Sequence, residues 1–361
     1  MKLVVNLKLK PTEEQLSLLK ATLEMANDAC NYLSERAWEA KIFGQYNIHK
    51  LAYYDTRKCF PITSEMVIRS IAKVADAYKL GRKIQRKFRK DSAQPYDSAI
   101  IRFTKNDVVS IWVLGGRQKI PFVMGERQRS LFPFRKGEID LIRINGKFYL
   151  AVVCNIDDPE LIKTTDVLGV DLGIVNIAVD SQGKTYSGGE ININRCKFEH
   201  RRCNLQKKQT SSAKRKLKKI SGQQARFQKD VNHCISKAIV ADAKRTESAI
   251  AIEDLSGIRK RATARRHQRA RLSNWGFSQL RAFITYKAVL SGIPLYLVDP
   301  RNTSRECPVC GHIDKANRKT RDDFVCVKCG LAGPADTIAA QNIRARALVN
   351  VPMVTGGCVV V

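Results

Sequence analysis

Seven side chains in this sequence combine the types and spacings that chemistry requires: four cysteines and three acids. Cys307-Pro-Val-Cys310 and Cys326-Val-Lys-Cys329 are two CxxC pairs with 15 residues between them, followed at once by Gly311 and Gly330. At that spacing four thiolates can surround one tetrahedral Zn²⁺, while the glycines turn the chain after each pair. The alternatives are stray cysteines or a pair of disulfides. Four thiolates leave no open coordination position, so such a zinc folds a module and does not activate water. Chemistry must then lie beside it. Asp171 interrupts the apolar stretch Val167-Leu-Gly-Val-Asp171-Leu-Gly173, Glu253 ends Ser248-Ala-Ile-Ala-Ile-Glu253, and Asp336 follows the second cysteine pair in Ala335-Asp336-Thr-Ile-Ala-Ala. An acid inside an apolar strand is costly unless it has a task there. Taken singly, each acid could be a helix cap or a surface partner, Asp336 above all. Taken together they form an oxygen-rich set, which cannot be buried and charged without cations and which suits Mg²⁺ or Mn²⁺.

The elements that must position these groups follow from periodicity. Val167–Gly173, residues 175–183 and residues 184–188 read as three strands in meander order, and Ser248–Leu255 as a second apolar strand ending in acids. A helix is expected over Ser273–Leu290 with Trp275, Phe277 and Leu280 inward, a fifth strand over Pro294–Asp299, and a closing helix opened by Asp336. Three strands, a helix, a strand, a helix, a strand and a closing helix is the order of the ribonuclease H-like fold, which would converge Asp171, from mid-strand, with Glu253 and Asp336. Two metal ions held there, roughly 3.5–4 Å apart, would bind a scissile phosphate, one activating the attacking water and the other stabilising the leaving oxygen. No side-chain nucleophile is then needed. Asp254, Asp180 and Asp299 are decoys: Asp254 points to the other side of its strand from Glu253, and Asp180 sits in a turn.

Upstream, residues 2–10 alternate as a strand, and Pro11-Thr12-Glu13-Glu14-Gln15 opens a helix with Thr12 as N-cap and Gln15 as its capping-box partner. Leu16 to Ala37 keep helical spacing, a broken second helix is expected over 47–58, and a third starts at Ser64. That third helix runs into Arg82–Lys90, six positive charges in nine residues without one acid. We read the run as a phosphate-contacting helix end rather than a solvated face. From Tyr96 to Asn155 the pattern has period two, with strands at 99–103, 108–113, 137–144 and 147–154 and a hairpin at Asn145-Gly146. With the N-terminal strand they form a small antiparallel barrel into which the helices are inserted, and Asp157-Asp158-Pro159 marks the boundary to the next domain.

The chain has 361 residues, more than one ordinary core, and its 64 Lys and Arg against 34 Asp and Glu give a formal charge of +30. Such a field calls for a polyanion, and nucleic acid is the expected partner. No run of about 18 apolar residues exists, so membrane attachment is not expected. Of eleven cysteines, the seven outside the CxxC pairs are scattered as free thiols, which with the absence of a signal peptide points to a reducing cytoplasm. Cys196–Asp230 is long, polar and mostly helical, with Lys or Arg at 195, 197, 201, 202, 207, 208, 214, 215, 216, 218, 219, 226 and 229. A second basic stretch, Arg259–Arg271, follows Glu253. Both are expected to lie along phosphates, the alternative for the first being an exposed charged helical hairpin.

Gly169-Val-Asp171-Leu-Gly173-Ile-Val-Asn, Ile250-Ala-Ile-Glu253-Asp-Leu, Pro300-Arg-Asn-Thr-Ser-Arg-Glu-Cys307-Pro-Val-Cys310-Gly, Phe324-Val-Cys326-Val-Lys-Cys329-Gly and Ala335-Asp336-Thr-Ile-Ala-Ala-Gln-Asn-Ile together resemble TnpB, the transposon-encoded relative of type V CRISPR effectors. The resemblance covers nearly the whole chain, including its Lys-Leu-Lys-Pro-Thr-Glu-Glu-Gln opening. It implies an α+β multidomain protein. A wedge strand (1–10) and wedge β-barrel (95–160) would enclose a helical recognition domain (11–94). A RuvC-like nuclease (165–302, basic helical insert 195–230; closing helix 334–350) would carry a zinc ribbon that binds target nucleic acid (303–333), ahead of a tail (351–361). The implied activity is RNA-guided DNA endonuclease, with guide RNA from the transposon end and double-stranded target DNA as partners. Asp171, Glu253 and Asp336 take the catalytic, Mg²⁺-holding places and Cys307, Cys310, Cys326 and Cys329 the zinc places. One position departs: Ile338 stands where the family commonly has Asn. The other classes to weigh are a nuclease-silent RNA-guided DNA-binding repressor and a DDE-type transposase, the latter disfavoured by the Asp, Glu, Asp order with a ribbon before the last acid. No oligomeric state is assigned.

Overall fold

The computed structural model describes residues 1–164, 166–173, 176–187, 189–255 and 276–349, which divide into two compact units, Met1–Asp157 and Asp158 onward. The division falls at the Asp157-Asp158-Pro159 boundary. The basic stretch 259–271, Trp275 and the tail lie outside the described residues. Among the described residues no helix is long and apolar enough to cross a membrane.

In the first unit, β1 (Lys2–Leu9) leads to α1 (Glu13–Glu39), α2 (Gln45–Cys59) and α3 (Ser64–Lys79). Thr12 caps α1: its hydroxyl accepts the Gln15 N–H at 3.3 Å while Gln15 Oε1 accepts the Thr12 N–H at 3.2 Å. Leu19, Leu23, Ala26, Cys30, Leu33 and Ala37 form the buried stripe of α1, sharing a core with Ile48 and Ala52 of α2 and Met66, Ile71, Val74 and Tyr78 of α3. α2 is continuous rather than broken. The expectation that α3 runs into the basic segment is corrected: α3 stops at Lys79, and residues 82–90 carry no helix.

The strands β2 (Gln94–Tyr96), β3 (Ile101–Thr104), β4 (Val108–Val113) and β5 (Gly116–Val123) come next. After α4 (Glu126–Leu131) follow β6 (Arg135–Ile144) and β7 (Lys147–Asn155). They join β1 in one antiparallel sheet of order β2-β6-β7-β1-β5-β4-β3, and the hydroxyl of Tyr96, on the edge strand β2, donates to the Trp112 carbonyl of β4, next to the other edge, at 3.2 Å. β5 escaped notice because Pro121 and Gly116 argue against a strand; Pro121 is tolerated opposite Val108, the first residue of β4.

The second unit is built on a five-stranded sheet of order β10-β9-β8-β11-β12, comprising β8 (Asp166–Asp171), β9 (Asn176–Asp180), β10 (Thr185–Ser187), β11 (Ser248–Glu253) and β12 (Leu295–Val298). β8, β11 and β12 run parallel, while β8, β9 and β10 form an antiparallel meander. Between β10 and β11 lie α5 (Gly189–Lys208) and α6 (Ser211–Arg245), the latter one continuous helix. α7 (Phe277–Leu290) precedes β12. The hairpin β13 (Asp323–Val325) and β14 (Ala332–Pro334) precedes α8 (Ala335–Val349).

Successive residues of β8 and β11 face opposite sides, and both sides are covered. Leu168, Val170, Ile250 and Ile252 pack with Ile239 of α6 and Leu280 and Ile284 of α7. Val167, Ala249 and Ala251 pack with Ile343 and Ala347 of α8. The parity that puts Val167 and Ala251 under α8 carries Asp171 and Glu253 to the same side, while Asp254 turns away and pairs with Arg281 of α7 at 2.6 Å. Gly169 lets α8 approach: a Cβ there would stand 2.2 Å from the Ala340 carbonyl oxygen and 2.6 Å from the Arg344 nitrogen.

Candidate active site and metal centre

The four cysteines come together. Sγ of Cys307 lies 3.5 Å from that of Cys329, and Sγ of Cys310 lies 3.6 Å from that of Cys326, with all four ligand atoms within 4.8 Å of one another. Tetrahedral zinc with Zn–S bonds of about 2.3 Å needs sulfurs of roughly this separation, so the residues fit the ion. The backbone builds both halves alike. The Gly311 N–H reaches the Cys307 carbonyl at 2.9 Å and the Gly330 N–H the Cys326 carbonyl at 3.0 Å, with the glycines at φ +67° and +78°. Asn317, fully buried, ties the halves together: its Nδ2 donates to the Arg305 and His312 carbonyls, and its Oδ1 accepts the Val327 N–H. Cys307, Cys326 and Phe324 bury against Ala335 and Ile338 of α8, so this departure from the common Asn serves as packing between ribbon and helix.

The carboxylates are assembled from three elements. Asp171 is the last residue of β8, not mid-strand as expected; Glu253 ends β11; Asp336 lies in the first turn of α8. Burial, then the charges of Glu253 and Asp336, push the Asp171 carboxyl up to about 7, with Arg318 opposing. Burial also raises Glu253, although the Thr303 hydroxyl donates to its Oε1 and Arg346 opposes the shift. Asp336 is held by two donors, Asn176 Nδ2 at 3.0 Å on Oδ2 and Arg318 Nη2 at 3.3 Å on Oδ1. Among the described residues only the four cysteines have every ligand atom within 4.8 Å of one another, so the three acids stand near but not closed to that spacing. Here a cation would relieve the cost that Asp171 carries, and an all-carboxylate donor set is the kind that holds Mg²⁺. Of the decoys, Asp180 Oδ1 accepts the Gln182 and Lys184 N–H groups as a turn cap, and Asp299 Oδ1 accepts that of Arg301.

Sequence reasoning missed the supporting groups. Arg318 sits in the loop between the cysteine pairs among Lys315, Lys319 and Arg321, with nothing to single it out. Thr303 is buried and its carbonyl, with that of Glu306, accepts from Asn342 of α8 at 2.7 and 2.8 Å. Arg346 adds bonds to the Asp299 and Arg301 carbonyls and pairs with Glu306. Thus α8 fixes the segment 299–306, which in turn fixes Glu253. Both Thr303 and Asn342 lay within stretches that carry the family resemblance, the one signal that could have found them.

The basic side chains from 197 to 229 lie on α5 and α6, nearly all exposed, and none has a carboxylate within 4.0 Å among the described residues. The two helices meet through Phe198 and Phe227, with ring centroids 6.4 Å apart. The two helices thus carry an exposed charge that no carboxylate among the described residues neutralises.

A family model described as a probable transposase matches residues 151–272, and one described as the Cas12f1-like TNB domain matches 277–343. A TnpB-like protein of Methanocaldococcus jannaschii is 28% identical over 63% of this chain and 78% of its own length. A CRISPR-associated endodeoxyribonuclease Cas12f1 of Sulfoacidibacillus thermotolerans is 31% identical over 55% of this chain and 50% of its own. InsQ of Escherichia coli, provisionally named an RNA-guided DNA endonuclease, is 26% identical over 55% and 54%. The chain thus spans about half the length of the latter two relatives. Residues 151–272 are thus transposase-like and residues 277–343 Cas12f1-like in sequence. The chain belongs to the TnpB family.

Proposed function

We propose that this chain is an RNA-guided DNA endonuclease of a transposon, with a RuvC-like, ribonuclease H-like nuclease in its second unit and a structural zinc ribbon within it. The observation that carries this is the approach of Asp171, Glu253 and Asp336 from three elements, close enough that, after burial, the charges of the other two help raise Asp171 to about 7. Carboxylates placed so, against a chain of charge +30, suit a polyanion whose phosphate arrives with its own cations. Asp171, Glu253 and Asp336 would hold Mg²⁺, which supplies the charge that activates water and stabilises the leaving oxygen. The protein's own contribution is placement. Thr303 orients the Glu253 carboxylate, Asn176 and Arg318 orient that of Asp336, and α8 holds both arrangements. Arg318 pairs with Asp336 while its Nε and Nη2 donate to the Arg321 carbonyl at 3.2 and 2.8 Å, which fixes the guanidinium beside the carboxylates.

Cys307, Cys310, Cys326 and Cys329 would hold Zn²⁺ and so fold residues 303–333 onto α8. Guide RNA would read sequence by pairing while the protein holds the backbones. Residues 11–94 would form the recognition domain, 1–10 and 95–160 the wedge, and α5 and α6 with 259–271 would contact phosphates. The test is cleavage of duplex DNA by the chain purified with its RNA, the RNA being sequenced to define the target. Cleavage should require that RNA and Mg²⁺ and vanish in Asp171→Ala. Cleavage at the wild-type rate by Asp171→Ala, or without RNA, would overturn it.

A further inference from the structure

The basic segment after α3 is not a helix end, and its actual form says more. Asn27, Asn31 and Ser34 lie on one face of α1, four and three residues apart. They donate to the carbonyls of Lys90, Phe88 and Arg86 at 3.1, 3.0 and 2.6 Å, every second residue of the segment taken in reverse. Asn31 Oδ1 also accepts the Phe88 N–H at 2.7 Å. The two spacings fit because one helical turn rises about 5.4 Å and two extended residues about 6.6 Å. The segment is therefore a strap laid along α1. Its alternate side chains part in opposite directions. Phe88 is half-buried beside Lys73, and the half-buried Arg86 turns back to the Gly81 carbonyl at 2.7 Å. Lys87 and Arg89 are exposed, as are Lys83 and Lys90. No cation of the strap has a carboxylate within 4.0 Å among the described residues.

A solvated charge run would normally lie on a loop whose charges can move apart. Here polar side chains of α1, buried at Asn27 and Ser34 and half-buried at Asn31, hold the backbone at three points. We propose that this strap is a phosphate track, in which Lys87 and Arg89, with Lys83 and Lys90 flanking, bind successive phosphates of one nucleic-acid strand. Alternate residues of an extended chain stand about 6.6 Å apart, commensurate with neighbouring phosphates along a strand. The inference rests on the nucleic-acid reading above and adds a site to it outside the nuclease unit.

The test uses the full chain freed of RNA, with poly(U) RNA and poly(dT) DNA as probes, and follows affinity against salt. Lys87→Gln/Arg89→Gln should flatten the slope of log affinity on log salt by about 1.4, roughly 0.7 for each phosphate contact to a single strand. Lys20→Gln/Lys105→Gln, an exposed pair off the strap with the same charge change, should flatten it less. Asn31→Leu keeps every charge but releases the strap, and should weaken binding all the same. A loss confined to poly(U) assigns the strand as RNA, one confined to poly(dT) as DNA, and equal losses as either. Equal slopes for the two double variants overturn the proposal, and that comparison stands even if Asn31→Leu fails to fold. A wild-type chain that binds neither probe overturns the nucleic-acid reading itself.

Discussion

The cysteine centre and the carboxylate centre share one unit and meet at α8, yet they are built in opposite ways. The cysteines come from 23 consecutive residues, each pair held by its own backbone turn, and their sulfurs already stand at the separation a zinc ion requires. The carboxylates come from positions 171, 253 and 336, each at the end of a separate element, and they remain apart with one driven toward protonation. A structural site must exist for the fold to exist. On the function proposed above, the carboxylate site gains from staying incomplete until charge arrives to close it, because unpaired buried charge is costly in between.

The largest effect should come from breaking the first centre. Cys326→Ser should release zinc, loosen residues 303–333 and remove the surface on which Ala335 and Ile338 pack. Target affinity and cleavage should fall together, since Asp336 follows directly on Ala335. Metal analysis, binding and cleavage on the same preparation check this; full zinc with full cleavage would show that the two centres are independent.

Asp336→Asn should act more narrowly. It removes a carboxylate without removing a fold, so zinc content and target binding should stay at wild type while cleavage falls by roughly 10²–10³ or more, the size of loss seen when one electrostatic group is taken from an active site. Zinc loss in this variant would mean that Asp336 supports the ribbon instead. Smaller again is Thr303→Val, which keeps every charge and deletes the hydroxyl donor to Glu253. A partner one step removed from the metal costs about 10–100-fold in metal affinity or activity. The expected signature is a higher Mg²⁺ requirement, with cleavage recovering at high Mg²⁺; a rate loss that no Mg²⁺ concentration repairs would place Thr303 elsewhere in the chemistry.

These differences explain what the sequence disclosed. The cysteine cluster was legible because its side chains, spacing and turning glycines are local. Asp171, Glu253 and Asp336 stood out because acids within or at the end of apolar strands, or opening a helix, contrast with their neighbours, and strand parity sorts Glu253 from Asp254; that Asp171 ends β8 was not read from the sequence. Arg318, Thr303 and Asn176 were not, since each is an ordinary surface type until tertiary structure brings it to a carboxylate. The same limit hid the strap: Asn27, Asn31 and Ser34 look like polar interruptions of α1, and only the chain laid across them gives them partners. Strand β5 was lost to a proline and a glycine that a local rule forbids, although β5 lies inside the sheet with Pro121 opposite the first residue of β4.

The smallest expected effect concerns the incompleteness itself. Asp171 has a folded pKa near 7 against an ordinary 3.8, raised by burial and by Glu253 and Asp336, and burial raises Glu253 as well. A carboxyl whose folded pKa is raised binds its proton more tightly in the folded chain than in the unfolded one. Its contribution is therefore full below about pH 4, declines through the interval, and is lost as pH passes about 7. In Mg²⁺-free buffer with zinc retained, the melting temperature should fall by a few degrees between pH 5 and pH 8, the sign opposite to that of a salt-bridged aspartate. Asp171→Asn, neutral throughout, should flatten that decline. Added Mg²⁺ should raise the wild-type melting temperature at pH 8 far more than at pH 5, because the cation binds the deprotonated set. If Asp171→Asn melts with the same pH slope as wild type, the carboxylate centre is not under the electrostatic load described, and its contrast with the cysteine centre fails.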